Sequence, residues 1–405
     1  MMQFLALFVA FATLFLLLRK KVDFGISICV AAVVLGVMIT GAPMPFLTKT
    51  VSVLTRKTAL QTMAAVLFVG ILSGVCRHYG MLDKIVTNLK LIISNPRIIL
   101  ILVPAIIGLM PVPGGASMSV PFVDTIADEY GVSPQRKGVI NLVFRHAGML
   151  LMPFSTTVIV ALDMLPGITY AQLASRTSFF VICNMILGYW FFLRDIPTRQ
   201  PKQPEGDRSR GAVDLFVNLS PILTVVVVAF VFGLPIYISV AAGILIAFII
   251  SDKKNFLGVL LKATNPRLIL TIAGINMMQG FIGDMDQVIG TLTGSLGTGV
   301  GALVAYALTS TFLALITGTS LTPLGIVLPL VVAMPQSQGM LLANTFLVFI
   351  SSYFGYYFSP LHLCQVLTAD YLKCTTQELY KEYRIYATCL LCAALAGYML
   401  FVFIA

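Results

Sequence analysis

Two stretches of the sequence combine hydroxyl side chains with helix-breaking residues inside an otherwise apolar chain. Residues 109–122 read LMPVPGGASMSVPF, and residues 314–330 read ALITGTSLTPLGIVLPL. Proline and glycine end helices, and a helix end leaves backbone N–H or C=O groups without a partner. Free N–H groups suit an anion, whereas free carbonyls and hydroxyls suit Na⁺. We therefore predict that both stretches bind a solute or an ion.

A second pair of helix breaks follows, one after each stretch. Residues 149–158 read MLLMPFSTTV and residues 356–365 read YYFSPLHLCQ, so a proline falls inside a long apolar segment in both. A proline within a helix frees a carbonyl and kinks the chain. The polar side chains beside these prolines are Ser155, Thr156, Thr157, Ser359 and His362. We predict that they satisfy or exploit the freed backbone.

A basic pair precedes the first of these breaks. Arg145 and His146 fall inside or at the edge of an apolar span, where an ionisable residue is costly and marks a functional site. Arg145 is the candidate to pair with an anionic substrate, and the alternative is that it reaches the inner interface. His146 or His362 is a candidate to carry a coupling proton, and the alternative is a hydrogen-bonded packing role.

The candidate site combines the two tips, the two breaks and the basic pair. The candidates for substrate binding are Gly114, Gly115, Ser117, Ser119, Thr319, Ser320, Thr322, Arg145, Ser155 and Thr156. The candidates for ion coupling are Thr317, Gly318, Thr157, Ser359, His146 and His362. We predict no catalytic residue, no metal site and no cofactor, apart from Na⁺ as a possible coupling ion. The C-x-x-C of Cys389 and Cys392 lies in an apolar helix, where it is typical of packing.

The composition indicates which elements position these residues. Of 405 residues, 58% are hydrophobic and only 10% are charged, against about 25% charged in a soluble domain. This predicts an all-α polytopic protein of the cytoplasmic (inner) membrane. The net charge of +10 comes from basic residues in short loops, which orient membrane helices, so nucleic acid is not an expected partner. The predicted spans are 2–18, 23–41, 59–76, 138–165, 177–193, 214–231, 235–251, 268–283, 340–367 and 384–404.

The two halves of the chain resemble each other. Gly148, Pro153 and Asp163 recur as Gly355, Pro360 and Asp370, each 207 residues later. Positive charges place corresponding segments on opposite sides of the membrane, which predicts two inverted-topology repeats. Lys49, Arg56 and Lys57 come out external, so residues 42–58 form an interfacial helix or the orientation is reversed. The predicted units are a first repeat over 1–193 with a hairpin at 98–126 and a broken helix at 138–165, a cytoplasmic linker over 194–213, and a second repeat over 214–405 with a hairpin at 298–333 and a broken helix at 340–367.

The hairpins are predicted to be re-entrant. Each arm is too short to cross about 30 Å of hydrocarbon at 1.5 Å per residue. Each stretch should therefore enter and leave on one side, with its tip buried in protein or lining a watery cavity. The two tips would then meet near the midplane, while Asp163 and Asp370 would lie at opposite interfaces.

The stretch MPVPGGASMSVP, residues 110–121, resembles the hallmark of the domain-of-unknown-function family 401. With the broken helices, it is similar to the ion-transporter superfamily, which includes gluconate permeases and divalent-anion/Na⁺ symporters. This resemblance implies a scaffold and a moving transport domain, often dimeric, with substrate and ion held at Gly114–Ser119 and Gly318–Pro323. The Ser-Asn-Thr signature of the Na⁺-coupled dicarboxylate members is absent from both tips.

These observations predict a secondary active transporter rather than an enzyme. It would move a small organic anion, a carboxylate, coupled to H⁺ or Na⁺, by an elevator movement of a homodimer in the lipid bilayer. One alternative is a passive anion channel. Another is an intramembrane hydrolase that uses Ser320, in Gly318-Thr-Ser-Leu, with His362.

Overall fold

The fold is entirely helical over the described part of the chain. The computed structural model describes residues 2–20, 22–108, 116–198, 206–253, 255–264, 266–285, 287, 300–359 and 362–405. These residues form 19 α-helices and one 3-10 turn, and no strand occurs among them. The all-α prediction is confirmed.

The helices of each half follow the apolar runs and stop at their polar or Pro/Gly boundaries. In the first half they are α1 (Met2–Arg19), α2 (Phe24–Thr40), α3 (Pro43–Leu54), α4 (Lys57–His78), α5 (Met81–Ile92), α6 (Pro96–Gly108), α7 (Ala116–Asp128), α8 (Pro134–Arg145), a 3-10 turn (Ala147–Leu150), α9 (Thr156–Met164) and α10 (Tyr170–Phe192). In the second half they are α11 (Arg208–Phe230), α12 (Ile236–Ile250), α13 (Phe256–Ala263), α14 (Pro266–Ile282), α15 (Val300–Thr317), α16 (Leu321–Val332), α17 (Gln338–Tyr357), α18 (Leu363–Tyr371) and α19 (Thr376–Phe403).

The apolar helices indicate a membrane protein. Among the described residues, four helices are long and apolar enough to cross a membrane: α4, α11, α17 and α19. Seven shorter apolar helical stretches have 10–17 residues. Large apolar side chains such as Phe8, Phe232 and Phe403 are exposed on the surface, as lipid-facing residues are.

Helix ends coincide with the regions of the predicted breaks. The helices α6 and α7 have 13 residues each, so each is about 20 Å long. Helix α8 ends at Arg145, and helix geometry resumes in α9 at Thr156. In the second half α17 ends at Tyr357 and α18 begins at Leu363. Both long apolar segments are therefore interrupted, as the prolines predict.

The helices that follow α9 and α18 begin with the same capping motif. Thr169 and Gln172 form a capping box at the start of α10, and Thr375 and Glu378 form one at the start of α19. In a capping box the two side chains pair reciprocally with backbone N–H groups that the first helical turn leaves free. The shared T-x-x-Q/E pattern therefore sets the beginning of corresponding helices in the two halves.

Helix contacts divide the fold into two groups, and each group takes helices from both halves. Group A contains α1–α5 and α11–α14, and group B contains α6–α10 and α15–α19. Contacts between the groups include α4 against α9 and α14 against α16. Group B holds most of the largest fully buried aromatic side chains, among them Phe144, Tyr353 and Tyr383.

Within group B the halves exchange partners. The helix before each interrupted segment contacts the post-break helix of the other half, so α7 packs against α18 and α16 packs against α9. Likewise α8 packs against α19 and α10 packs against α17. The breaks of both halves are thereby brought to one place.

One ion pair involves Lys49, a basic residue that the predicted topology places outside. Lys49 on α3 forms an ion pair with Asp284 at 2.7 Å, just after α14. This contact puts Lys49 and Asp284 on the same side of the molecule. Residues 43–54 are helical, as expected for an interfacial helix, and whether they lie in the interface stays a prediction.

Candidate functional site

The breaks of the two halves meet at a pair of histidines. The Nε2 atoms of His146, at the end of α8, and His362, at the start of α18, lie 3.2 Å apart. Both side chains are buried, and the Tyr356 hydroxyl lies 3.5 Å from His146 Nε2. Residues separated by 216 positions in the chain thus share one buried centre.

The end of α8 orients His146. Helix α8 begins at Pro134 after Ser133, whose hydroxyl accepts a hydrogen bond from the Arg136 amide at 3.4 Å. At its other end, His146 Nδ1 lies 2.7 Å from the Leu142 carbonyl oxygen. A carbonyl only accepts, so Nδ1 carries the proton in a neutral ring and Nε2 is left with a free lone pair. That lone pair points towards His362.

Arg145 is a buried cation without an acidic partner among the described residues. Its exposed fraction is 5%, and Nη1 donates a long hydrogen bond of 3.4 Å to the Ser119 hydroxyl on α7. This burial does not fit a side chain that reaches for the interface. A guanidinium has five N–H donors, and among the described residues one hydrogen bond from this guanidinium, to Ser119, is found. The ion pairs found in the described part of the chain do not include Arg145.

The first hairpin packs tightly against Arg145. A Cβ atom at Gly108, the last residue of α6, would lie 2.0 Å from the Arg145 carbonyl oxygen. Glycine is therefore required for the approach of α6 to α8. The corresponding pair of helices in the second half is also in close contact, with the glycine on the other helix, because a Cβ atom at Gly355 on α17 would lie 2.1 Å from the Thr311 carbonyl oxygen on α15.

Hydroxyl groups line the turn between α15 and α16. Gly318 adopts a positive φ of 65°, which glycine tolerates best, and so reverses the chain. Thr319 Oγ1 then accepts a hydrogen bond from the Leu321 amide at 3.2 Å. The Ser320 hydroxyl lies 3.3 Å from the Thr157 hydroxyl on α9, so this turn contacts the first break directly. Thr322 Oγ1 is buried without a hydrogen-bond partner in the part of the chain that the structure describes.

The predicted site residues fall into three sets. Ser119, Arg145, His146 and His362 come together in one cluster, which we call the central cluster, and Thr157 with Ser320 forms the cross-half hydroxyl pair. Other predicted residues bond to backbone carbonyls instead: Thr317 to Leu313, Ser155 to Met149 and Ser359 to Leu315. Thr156 begins α9. Ser117 lies in the first turn of α7, with its side chain outside the described part, and Gly114 and Gly115 lie outside the described residues altogether.

Sequence reasoning missed Cys364. One ligand atom each from His146, His362 and Cys364 lies within 4.8 Å of the others. Cys364 follows His362 by two residues in the quoted stretch, so the local signal, H-x-C, was present. The partner across the fold, His146, could not be identified from spacing alone.

A buried lysine near the site was also missed. Lys137 on α8 donates to Asp124 Oδ1 at 2.8 Å and to Asp128 Oδ1 at 2.6 Å, both on α7. The Lys137 side chain is buried, so the pairing compensates a charge that would otherwise be costly. This ion cluster fixes α7 against α8 at the end of α8 opposite Arg145.

Asp163 lies on a separate pocket. A pocket of about 190 Å³ is lined by Thr58, Thr62, Asp163 and Tyr237, together with other residues of α4, α9 and α12. Residues of the central cluster do not line it within the described part. Asp370 is exposed at the end of α18. The placement of these two aspartates at opposite interfaces stays a prediction.

Comparison with known proteins identifies a family and no characterised relative. A family model described as "Protein of unknown function (DUF401)" matches residues 2–403. No curated protein matches the chain.

Proposed function

Since the chain belongs to the DUF401 family, whose function is unknown, its role has to be argued from its site, and we propose that it is a secondary active transporter of a small organic anion. The substrate is a carboxylate, and the coupling ion is H⁺ or Na⁺. The protein acts in the cytoplasmic membrane as a multi-pass homodimer of the ion-transporter superfamily.

Buried Arg145 is the observation that supports this proposal most. A cation removed from water loses several kcal/mol of hydration unless an anion compensates it. Arginine matches a carboxylate with two parallel hydrogen bonds, which a lysine cannot do. Arg145 lies where the breaks of both halves meet, beside the Ser119 hydroxyl. A substrate carboxylate between Arg145 and the hairpin tips would neutralise the charge.

The exchanged helix contacts support the inverted repeat. The order of hairpin, broken helix and capped helix is the same in α6–α10 and α15–α19. If a two-fold axis relates the halves, a contact of α7 with α18 requires one of α16 with α9, and both occur. The hairpins are proposed to be re-entrant from opposite sides, since helices of 13 residues such as α6 and α7 are shorter than about 30 Å. Interrupted helices at matching positions of inverted halves hold substrate in secondary transporters.

The division into groups supports an elevator movement. Group B contains the central cluster and the hydroxyl pair, so we assign it as the moving transport domain. Group A is assigned as the scaffold and as the surface through which two copies assemble. Most of the apolar residues in the middle of α11 are unburied, since only 22% of that stretch is buried, and this leaves a surface for a second copy. The residues for ion coupling are the histidine pair for H⁺, or Thr157 and Ser320 with nearby carbonyls for Na⁺.

A flux assay on purified protein in liposomes tests the proposal. A panel of radiolabelled mono-, di- and tricarboxylates is offered with an imposed H⁺ gradient, an imposed Na⁺ gradient, or neither. We expect one class of carboxylate to accumulate against its gradient under one of the imposed gradients. Preloaded unlabelled substrate should accelerate uptake by counterflow.

Each rival gives a different result in the same assay. Uptake that follows only the substrate's own gradient, with current and without counterflow, would identify a channel and overturn the proposal. A chemically altered substrate recovered from the vesicles would identify a hydrolase. No uptake of any carboxylate under either gradient would remove the organic anion as the substrate class.

A further inference from the structure

The two histidines of the central cluster lie beside Cys364, a thiol to which the proposed transport function gives no role. We propose that His146, His362 and Cys364 bind a thiophilic first-row transition-metal ion, with Zn²⁺ as the reference ion. One donor atom from each residue lies within 4.8 Å of the other two. The assignment is independent of the transport proposal, because it stands on these three side chains alone.

The spacing of the two imidazoles fits coordination of one ion. Their Nε2 atoms lie 3.2 Å apart. Two nitrogens that each lie 2.0–2.1 Å from a tetrahedral Zn²⁺ are separated by about 3.3 Å. The Cys364 sulfur needs to approach within roughly 3.6 Å of both nitrogens, given Zn–S of about 2.3 Å. A change of side-chain torsion at Cys364 supplies this shift from a cluster already within 4.8 Å.

The hydrogen bonding of His146 prepares it as a ligand. Its Nδ1–H donates to the Leu142 carbonyl at 2.7 Å, and this leaves the Nε2 lone pair for a metal. Metal-bound histidines characteristically donate their second ring N–H to a carbonyl or carboxylate, which sets the tautomer and the ring orientation. His362 presents its own Nε2 to the same point.

The position of Cys364 favours its thiolate form. It lies in the first turn of α18, a helix of nine residues, and the N-terminus of a helix favours negative charge. Thiolate and imidazole donors select Zn²⁺ or Cu⁺, whereas Ca²⁺ and Mg²⁺ prefer oxygen ligands. Two tyrosine rings pack on the imidazoles. The ring centroid of Tyr356 lies 4.0 Å from that of His362, and the ring centroid of Tyr357 lies 6.0 Å from that of His146.

Three protein ligands leave one coordination position open. A closed structural zinc site has four protein ligands, and an open site has three and a water or substrate. A Zn²⁺ with one thiolate keeps a net positive charge, so the open position favours an anion. Arg145, the residue before His146, adds to the same preference.

Metal content of the full-length protein in detergent tests the site. Chelator-treated protein is equilibrated with Zn²⁺, desalted and analysed by mass spectrometry of metals. We expect one ion per chain, and a sulfur-to-metal charge-transfer band when Co²⁺ replaces Zn²⁺. A parallel sample under reducing conditions receives Cu⁺, and tighter binding of Cu⁺ than of Zn²⁺ through the same residues also supports the site.

Matched variants locate the ion. Cys364→Ser should lose the charge-transfer band and weaken binding at least about 100-fold, since even loss of an outer-shell partner costs 10–100-fold. His362→Gln should also weaken it. Cys392→Ser and His78→Gln, which alter a cysteine and a histidine outside the cluster, should bind as the wild type does.

Two results would overturn the metal site. Wild-type protein that binds no Zn²⁺, Co²⁺ or Cu⁺ would show that the histidine pair is only hydrogen-bonded. Binding that Cys364→Ser leaves intact would place any ion elsewhere. Size-exclusion profiles and melting temperatures of each variant separate ligand loss from unfolding. Absence of carboxylate uptake in the flux assay would not change the interpretation of these metal-binding measurements.

Discussion

The two helix breaks share their position in the repeat but differ in their side chains. At the offset of 207, Arg145 and His146 of the first half correspond to Ser352 and Tyr353 of the second. In the opposite direction, His362 corresponds to Ser155. Each half therefore brings a different part of the chemistry to the same centre. The comparison teaches that both halves interrupt a long apolar segment, while the charge, the imidazoles and the thiol are divided between the halves.

Among the substitutions that test this difference between the halves, Arg145→Gln should have the largest effect on carboxylate uptake. Arg145→Gln removes the charge from the first half, and loss of one partner of a buried charge pair costs about 2–5 kcal/mol. We therefore expect carboxylate uptake to fall by roughly 30-fold or more at subsaturating substrate. Ser352→Ala, at the corresponding position of the second half, should keep uptake within a few-fold of wild type. Equal losses in the two variants would mean that the halves contribute symmetrically to binding.

The two close helix contacts provide a test of what the halves share. Alanine at Gly108 or Gly355 would place a methyl group about 2 Å from a backbone carbonyl. Overpacking of this kind costs about 1–3 kcal/mol, so both variants should melt at lower temperature in detergent. Gly325→Ala is the control, because its nearest neighbour would lie at 3.5 Å. Destabilisation by only one of the two glycine variants would contradict the shared packing.

The hydroxyl pair joins the halves, so it should show coupling. Thr157→Val and Ser320→Ala each remove one partner of the 3.3 Å contact. A typical hydrogen bond contributes about 0.5–1.5 kcal/mol, so each variant should lower uptake by roughly twofold to tenfold. The double variant should be no worse than either single one. Additive losses in this cycle would show that the two hydroxyls act independently.

We expect the smallest effect, on the free energy of unfolding, from substitutions around Lys137 and around Asn344, the position that corresponds to it. In the first half Lys137 pairs with Asp124 and Asp128, whereas Asn344 in the second half pairs with neutral Gln336 and Tyr398.

Asp128→Asn should shift the free energy of unfolding by at most about 1 kcal/mol, because an exposed ion pair is screened, and the Asp128 side chain is 78% exposed. The change in melting temperature caused by Gln336→Ala should not depend on ionic strength. A salt-dependent shift in Gln336→Ala, or a salt-independent one in Asp128→Asn, would contradict the assignment of charge to the first half alone.

The sequence allowed local features to be predicted well. Apolar runs and Pro/Gly positions predicted the helical fold and an interruption in both long apolar segments, because each depends on backbone chemistry within a few residues. The first interruption begins after Arg145, eight residues before the proline at which it was expected. Helices α3, α5 and α13 were not among the predicted spans, since they are short and mix apolar with polar residues. The number of membrane crossings and the inverted orientation remain predictions.

Long-range contacts could not be predicted from the sequence. His146 and His362 are separated by 216 residues, and no local pattern indicates that their Nε2 atoms meet. The role of Cys364 follows only from that meeting. Ser155 and Ser359 looked equivalent to Thr157 and Ser320 in the sequence, yet the first two bond to backbone carbonyls and the last two face each other. Side-chain direction at a helix break depends on the packing around it, which spacing does not encode.

The close contact between Gly108 and Arg145 has a consequence for the electrical behaviour of the carrier. Helix α6 cannot slide away from the Arg145 backbone without opening a tightly packed contact, so in an elevator movement the guanidinium travels with the hairpin. A unit charge that crosses the whole membrane field exchanges about 2.3 kcal/mol per 100 mV. The unloaded transport domain would carry this charge, and a domain loaded with one monovalent anion and one H⁺ or Na⁺ would carry the same net charge. Membrane potential would thus act on both the resetting step and the delivery step, whereas a divalent anion with one coupling cation would make delivery almost free of the field.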